Sequence, residues 1–517
     1  MTHIKDVVAE IIELARPKLF ECLNLAADEV RFRLDGMEQF TEELVRELHE
    51  ELFGLVVEWV SKRAEALAGT CRLCGKRTRR ETKAVEVKLK RFTATVKAVR
   101  YRCRECKTSR SPIREWLGLE SGMTSGGLDR ALTALTSQMS FGEAVEQLEE
   151  QHGHSLDRTT AERRTYAVGK EAMEFLQERR DARKNELLDA VGERRGVEQV
   201  IVQMDGGGVP VGELERPARD ETTERTPVRN LPKGRRSRTK REVRVCMAWE
   251  HGRVEAEVVD LHIAPHNRTE VSGERLHHVA LEAGAGENTR IHCVCDMASW
   301  HRDQFEEQFS AYKNRSLCAD FYHTLEYIAQ AGPGVVPEEE ERKKWLAVQA
   351  QRLKEGDREA ILQALGEHHC KDGRCPKTDD GKCAVVAARR YLKKYGQYMD
   401  YPRFIREGLP IGSGAVEGRI RHLVRRRLDV PATWRERNLH PILALISIRE
   451  SGQWDAFWTW LDKRDRQRFR DRLRGKGLNK FRGKLPTPTP SHHGASERVD
   501  FDAPFDPHTE LGLPMMH

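Results

Sequence analysis

Three acidic residues fall where the backbone pattern changes. Asp205 ends the apolar run Val200-Ile201-Val202-Gln203-Met204, and Asp296 ends Ile291-His292-Cys293-Val294-Cys295. Glu417 lies in Gly412-Ser413-Gly414-Ala415-Val416-Glu417-Gly418, a turn signal that opens a helix. Cations then occupy nearly every polar position of Arg419-Ile420-Arg421-His422-Leu423-Val424-Arg425-Arg426-Arg427. Two strand-end aspartates and a helix glutamate are what a two-metal phosphodiester site requires. Mg²⁺, or Mn²⁺ in its place, takes oxygen ligands and keeps waters, so a few carboxylates suffice. Asp205 would bridge both ions, Asp296 and Glu417 would each help to hold one, and the arginines would hold phosphates. Against this, the chain has 82 Asp and Glu, and any one of them reads equally as a surface carboxylate or a helix cap.

A second group is made of sulfur. Cys71-Arg72-Leu73-Cys74 and Cys103-Arg104-Glu105-Cys106 bracket residues 85–102, which alternate in places like a hairpin. Two such knuckles joined by strands describe a zinc ribbon. Four thiolates close a tetrahedral Zn²⁺ site and leave no open position, so the metal would be structural. The alternative is four reduced cysteines. Lys76, Arg77, Arg79, Arg80, Lys88, Lys90 and Arg91 either grip a DNA backbone or solvate the ribbon. A later group, His368, His369, Cys370, Cys375 and Cys383, has no regular ligand spacing, and a second metal or a loop with incidental thiols fits it.

The elements that must position these residues make a multidomain α+β chain. Residues 1–66 read as a helical arm, either a packed pair or an oligomerising arm. The ribbon spans 67–115. Residues 116–196 read as a helix-turn-helix and a connecting helix. In it, 141–148 and 156–166 flank the break His152-Gly153-His154-Ser155, and Arg158, Arg163 and Arg164 suit phosphates or base edges. From 197 to 301 the pattern turns to strands, with a hairpin across His251-Gly252. Between its strands lies Lys233-Gly234-Arg235-Arg236-Ser237-Arg238-Thr239-Lys240-Arg241, a loop that is disordered or contacts DNA beside Asp205. Strand, strand, strand, helix, strand is consistent with a ribonuclease-H-like mixed sheet, whose carboxylates cluster at strand ends. Residues 302–404 read as a helical insertion, 405–464 as the end of the catalytic domain with the Glu417 helix, and 465–517 as a basic, largely disordered tail. The aromatics of 453–458 read as core.

Composition narrows the class. The 517 residues carry 38% hydrophobic and 33% charged residues and a net charge of +7, so the clustering of cations matters more than their sum. No apolar run reaches the roughly 20 residues of a membrane helix. The expectation is a cytoplasmic, nucleoid-associated protein with no membrane partner. Twelve cysteines with two Cys-x-x-Cys pairs favour metal over disulfides in that setting.

These motifs, in this order, resemble the DDE transposases of bacterial insertion sequences, of the ISKra-type group. Cys71–Gly75 and Tyr101-Arg102-Cys103-Arg104-Glu105-Cys106 look like that family's ribbon, followed by Pro112 and Leu117-Gly118-Leu119. Met204-Asp205-Gly206 looks like its first catalytic block. Asp296-Met297-Ala298-Ser299-Trp300 is similar to its second, where Gly usually follows the Asp. Asp320-Phe321-Tyr322-His323 looks like its Asp-x-x-His motif. Residues 412–418 with His422 and Arg426 look like its third block, and 452–458 like its C-terminal signature. The resemblance covers most of 65–460. It implies Asp205, Asp296 and Glu417 as the catalytic triad, with Asp320 and His323 in support. It further implies binding of a mobile element's ends, strand cleavage and strand transfer by a homo-oligomer on paired ends. Phosphate contacts are expected from 233–241 and from Arg419, Arg421, His422, Arg425 and Arg426. The alternatives are a transposase-derived DNA-binding protein without catalysis and a ribonuclease-H-like nuclease without strand transfer.

Overall fold

The computed structural model describes residues 69–475, except 72, 112–113, 115–123, 154, 190–195, 213, 216–234, 266–267, 367–375, 380 and 431–432, together with some positions before 69. Most of the 1–66 arm, Lys233, the group His368, His369, Cys370 and Cys375, and the tail after 475 lie outside the described residues. Contacts divide the chain into a unit Met1–Asp465 and a unit Arg466–His517. All three sheets and the three acidic candidates belong to the first unit.

A small antiparallel sheet comes first, built from β1 (Arg79–Lys88), β2 (Thr93–Arg102) and β3 (Ser109–Arg110) in that order. Its register runs Arg79↔Arg102 to Lys88↔Thr93, and alternation buries Val87, Val96 and Ala98 against Val57. Three helices follow: α1 (Gly126–Thr136), α2 (Phe141–His152) and α3 (Arg158–Asp189). Ser140 and Glu143 form a reciprocal capping box at the start of α2. Gly153 ends α2 in the left-handed region, and the Asp157 side chain accepts from Thr160 N at 2.8 Å. The connecting helix expected after 170 is not a separate element, because α3 runs unbroken through it.

The central sheet holds β4 (Gln199–Val211), β7 (Thr239–Glu250), β8 (Val258–Ile263), β9 (Arg290–Cys295) and β10 (Arg315–Ala319), in the order β10-β9-β4-β7-β8. The pairs β4–β7 and β7–β8 are antiparallel, while β4–β9 and β9–β10 are parallel. Beyond β4 and before β7, a short pair β5 (Leu214–Glu215) and β6 (Arg235–Arg236) extends the hairpin. Gln199 to Met204 is buried without alternation, as a central strand covered on both faces should be. Sequence alternation puts the start of the second hairpin strand at 253. It starts at Val258, because Val254–Ala256 forms one 3₁₀ turn. β10 lies inside the block read as helical, since the run Leu317-Cys318-Ala319 is too short and too buried to be told from a helix by periodicity.

The covering helices are α4 (Glu270–Glu282), α5 (Ser299–Gln308), α6 (Phe321–Ala331), α7 (Glu339–Glu355), α8 (Arg358–Leu365), α9 (Ala384–Tyr395) and α10 (Tyr401–Arg406). After them, α11 (Gly414–Arg419) passes through a π-helix, Ile420–Arg425, into α12 (Arg426–Leu428). The described chain ends with α13 (Glu436–Glu450) and α14 (Trp454–Gly475). The edge strand β8 is sealed by α13: Ser447 Oγ and Ser451 Oγ accept from Leu261 N and Val259 N at 2.8 and 2.9 Å. Helix α3 crosses α13 where Gly169 meets Pro441, and a Cβ on Gly169 would sit 2.6 Å from Pro441. Phe457 is buried with Phe175 and Ile448, so the 453–458 aromatics include a core residue, as expected.

Candidate functional site

The parallel pairing of β4 with β9 ends at Gln203↔Val294. Asp205 and Asp296 each lie two residues beyond that pair, so register alone sets them side by side. Asp205 is not at a strand end as expected, because β4 continues through Gly206-Gly207-Gly208 against β7. It is half-buried, and Oδ1 accepts from Gly206 N at 2.7 Å. Burial pushes its pKa up to about 6; the Gly206 N–H opposes this, and Asp296, Glu417 and Glu242 add to it. Asp296 is exposed and caps the turn into α5 by accepting from Ala298 N at 2.9 Å. Met297 has φ +65°, the left-handed region that favours glycine, and its side chain is buried beside Cys295.

Glu417 reaches the site from α11 through a clamp made by the sheet. The amide of Gln203, fully buried, donates to Gly412 O at 3.0 Å and accepts from Val416 N at 3.1 Å. Ser413 Oγ donates to Glu417 Oε1 at 2.6 Å, and Ser413 N donates to Asp320 Oδ2. The other oxygen of Asp320 accepts from His323 N at 2.7 Å and caps α6. Buried Asp320 thus fixes Ser413, and Ser413 fixes Glu417. His323 lies 3.4 Å from Glu326 and edge-on to Tyr327 and Tyr391. Gly207 makes the seat for this helix: a Cβ there would lie 3.0–3.1 Å from Val424 and Ile420.

Asp205, Asp296 and Glu417 are close enough for the two other charges to raise Asp205. Their oxygens do not form a group within 4.8 Å of one another, unlike Cys295, Asp296 and His301, which do. His301 is buried, with Nδ1 4.0 Å from Asp296 Oδ1, and Nε2 has no partner among the described residues. Burial lowers its pKa to about 4, so the ring is neutral. Trp300 stacks on it at 5.2 Å, and the Arg244 guanidinium lies 3.8 Å over the Trp300 ring. Sequence alone does not single out Gln203, Ser413 or His301. Each is an ordinary polar residue whose role depends on its partners in space, although Ser413 belongs to the turn motif ahead of Glu417.

The structure divides the expected DNA-contacting cations. Arg421, His422, Arg425 and Arg426 are exposed along the π-helix and α12, beyond Glu417, and Arg163, Arg238 and Lys240 are exposed too. Arg158 is exposed and paired with Glu162 at 3.2 Å. Arg164 is a correction: it is buried in an ion pair with Asp129, its Nε 3.0 Å from Oδ1, and is not on a surface a nucleic acid reaches. It turns inward because it shares the face of α3 that covers α1, where an unpaired charge would be costly. Arg241 pairs with Glu436 at 3.1 Å, and Arg419 is held between Glu257 and Glu450. Both are half-buried and tie elements of the fold together. The side chains of Arg235 and Arg236 are outside the described residues.

Cys71, Cys74, Cys103 and Cys106 lie within 4.8 Å of one another, a group that could hold a metal ion. The two knuckles share one backbone form. Gly75 and Lys107, each just after the second cysteine, have φ of +71° and +52°. Cys71 N donates to Lys76 O, and Cys103 N donates to Thr108 O in the same way. The backbone N–H groups of Cys74 and Leu73 lower the Cys71 thiol to about 6, while hydrogen bonding to Cys74 pushes Cys106 up to about 12. Four sulfurs this close do not all ionise without a cation among them.

No protein-family model matches the chain, and no curated protein matches it. Among the described residues no helix is long and apolar enough to cross a membrane.

Proposed function

We propose that the chain is a DDE-type DNA transposase that binds the ends of a mobile element, cleaves strands and joins them to target DNA. The observation that carries this reading is the convergence of Asp205, Asp296 and Glu417 from two neighbouring parallel strands and a clamped helix. The strand order supports it. Counted along the chain within this sheet, the order is 5-4-1-2-3 with the second strand antiparallel, the pattern of a ribonuclease-H-like sheet. So does the placement of three exposed arginines and a histidine along the segment that follows Glu417.

Three carboxylates are the donor type a divalent ion takes, and their oxygens, spread beyond 4.8 Å here, would have to draw together on it. Asp205 keeps a proton up to about pH 6 because burial and neighbouring anions disfavour its charge, and a cation would relieve that crowding. Asp205, Asp296 and Glu417 would hold Mg²⁺ or Mn²⁺, which when bound polarises the phosphate and acidifies water or a 3′-hydroxyl. The chain's own work is positional. Ser413 and Asp320 orient Glu417, and Arg421, His422, Arg425 and Arg426 align the phosphates. The cysteine group would hold structural Zn²⁺ in a ribbon, and α2 with the start of α3 would dock on DNA as a helix-turn-helix through Arg158 and Arg163.

The test is incubation of the protein with the DNA bordering its own element, a target plasmid and Mg²⁺, beside Asp296→Asn. Joined products from the wild type alone are expected. Cleavage without joining would make the protein a nuclease, and end binding without products from either would make it a binding protein. Equal products from both would remove Asp296 from the mechanism.

A further inference from the structure

A cavity of about 690 Å³ opens between α6 and α9, next to the carboxylates but not part of them. That volume falls within the roughly 300–1,000 Å³ of sites for single small ligands, so a duplex does not fit. One wall is aromatic. Tyr327 and Tyr391 stack at 4.4 Å, and Tyr395 stands edge-on to Tyr391 at 4.9 Å. The opposite character comes from Lys382, Arg390 and Lys394, all exposed along the rim side of α9 and its approach. The wall is joined to the catalytic strand, since the Tyr391 hydroxyl donates to Asp296 O at 3.3 Å.

We propose that this cavity takes one unpaired nucleotide of the DNA strand processed at the carboxylates, its base against the tyrosines and its phosphate on Arg390 and Lys394. The inference rests on the reading of the chain as a DNA-processing enzyme. A base offers a π-face that stacks on aromatic side chains whatever its sequence, and its phosphate would meet the exposed Arg390 and Lys394 at the rim. Glu326 and Asp379 also line the cavity, which disfavours an inorganic anion alone and gives acceptors for a base N–H. Enzymes that work on DNA commonly separate a nucleotide from its stack, and the link from Tyr391 to Asp296 would register such a nucleotide against the reacting phosphate.

The probe is a single-stranded oligonucleotide carrying 5-iodo-2′-deoxyuridine, irradiated with the full-length protein in buffer without added Mg²⁺ or Mn²⁺ and without chelator, with adducts mapped by mass spectrometry. Adducts are expected on Tyr327, Tyr391 or Tyr395. Arg390→Glu with Lys394→Glu, both on exposed positions, should cut them roughly fivefold or more while the melting temperature holds. Excess unlabelled single strand should compete, and free dUMP at the same concentration should not. Competition by dUMP would assign the cavity to a free nucleotide and overturn the proposal. Adducts confined to residues 421–426 or to β1–β3, with metal-dependent cleavage intact, would overturn it and leave the transposase reading standing. Loss of both DNA retention and cleavage in the wild type would sink the two together.

Discussion

Asp205 is the residue on which the site's electrostatics converge. Its carboxyl holds a proton more tightly in the folded chain than in the unfolded one, with a pKa of about 6. The ionised form therefore opposes folding above that pH, and the penalty vanishes as pH falls toward the unfolded value near 4. Asp205→Asn should raise stability at pH 8 by at most roughly 3 kcal/mol, with the gain shrinking at pH 5. Melting temperatures at the two pH values check this, and an equal gain at both would remove burial and neighbouring carboxylates as the cause. Mg²⁺ should raise the wild-type melting temperature at pH 8 and raise that of the variant less. Met297 makes a second case. Its left-handed backbone favours glycine, yet its side chain is buried. Burial of a Met is worth about 1.5–3 kcal/mol and the strain about 1–2, and glycine adds its own entropy cost. Met297→Gly should thus lose about 1–2 kcal/mol in denaturant unfolding, and a gain would mean the strain dominates.

At the scale of elements, the Glu417 segment works because a helix can lie directly on a strand. Gly207 has no Cβ where Ile420 and Val424 press on β4, and Gln203 ties off the backbone ahead of the helix. The π-helix at Ile420–Arg425 then turns Leu423, Val424 and Arg427 inward and Arg421, His422, Arg425 and Arg426 outward. Such π segments are rare and often mark functional sites. Gly207→Val should push this helix off its seat, lowering stability by about 1–3 kcal/mol. Strand cleavage should fall more than about tenfold while DNA retention changes little, because the displaced group is Glu417. Cleavage kinetics beside a gel-shift titration would show this, and parallel loss of both would mean that the whole unit is disturbed. Arg421, Arg425 and Arg426 replaced by Ala should flatten the dependence of log K on log salt by about 2–3. An unchanged slope would place phosphate contact elsewhere.

For the whole molecule, the cysteine group and the central sheet are separate sources of order. The small sheet buries few side chains, and its knuckles converge on four sulfurs. The large core extends from β4 through α13 without them. A zinc chelator should therefore release about one metal per chain and expose the amides of β1–β3 to hydrogen exchange, while β4 and β9 stay protected. Retained protection in β1–β3 after chelation would show that the sheet stands without metal. The chain by itself determined the local matters: the two knuckles from Cys-x-x-Cys spacing, the buried strands 200–204 and 291–295, and the acidic candidates at Asp205, Asp296 and Glu417. These follow from side-chain type and short spacing, which act over a few residues. Tertiary structure decided the rest. β10 showed no alternation because it is buried, and Arg164 became structural because Asp129, 35 positions away in sequence, lies beside it in space. The clamp of Gln203 on 412–416 joins residues more than 200 positions apart. Register between strands brought Asp205 beside Asp296, and long-range pairing of that kind is set by the packing of the whole sheet and leaves no local mark in a sequence.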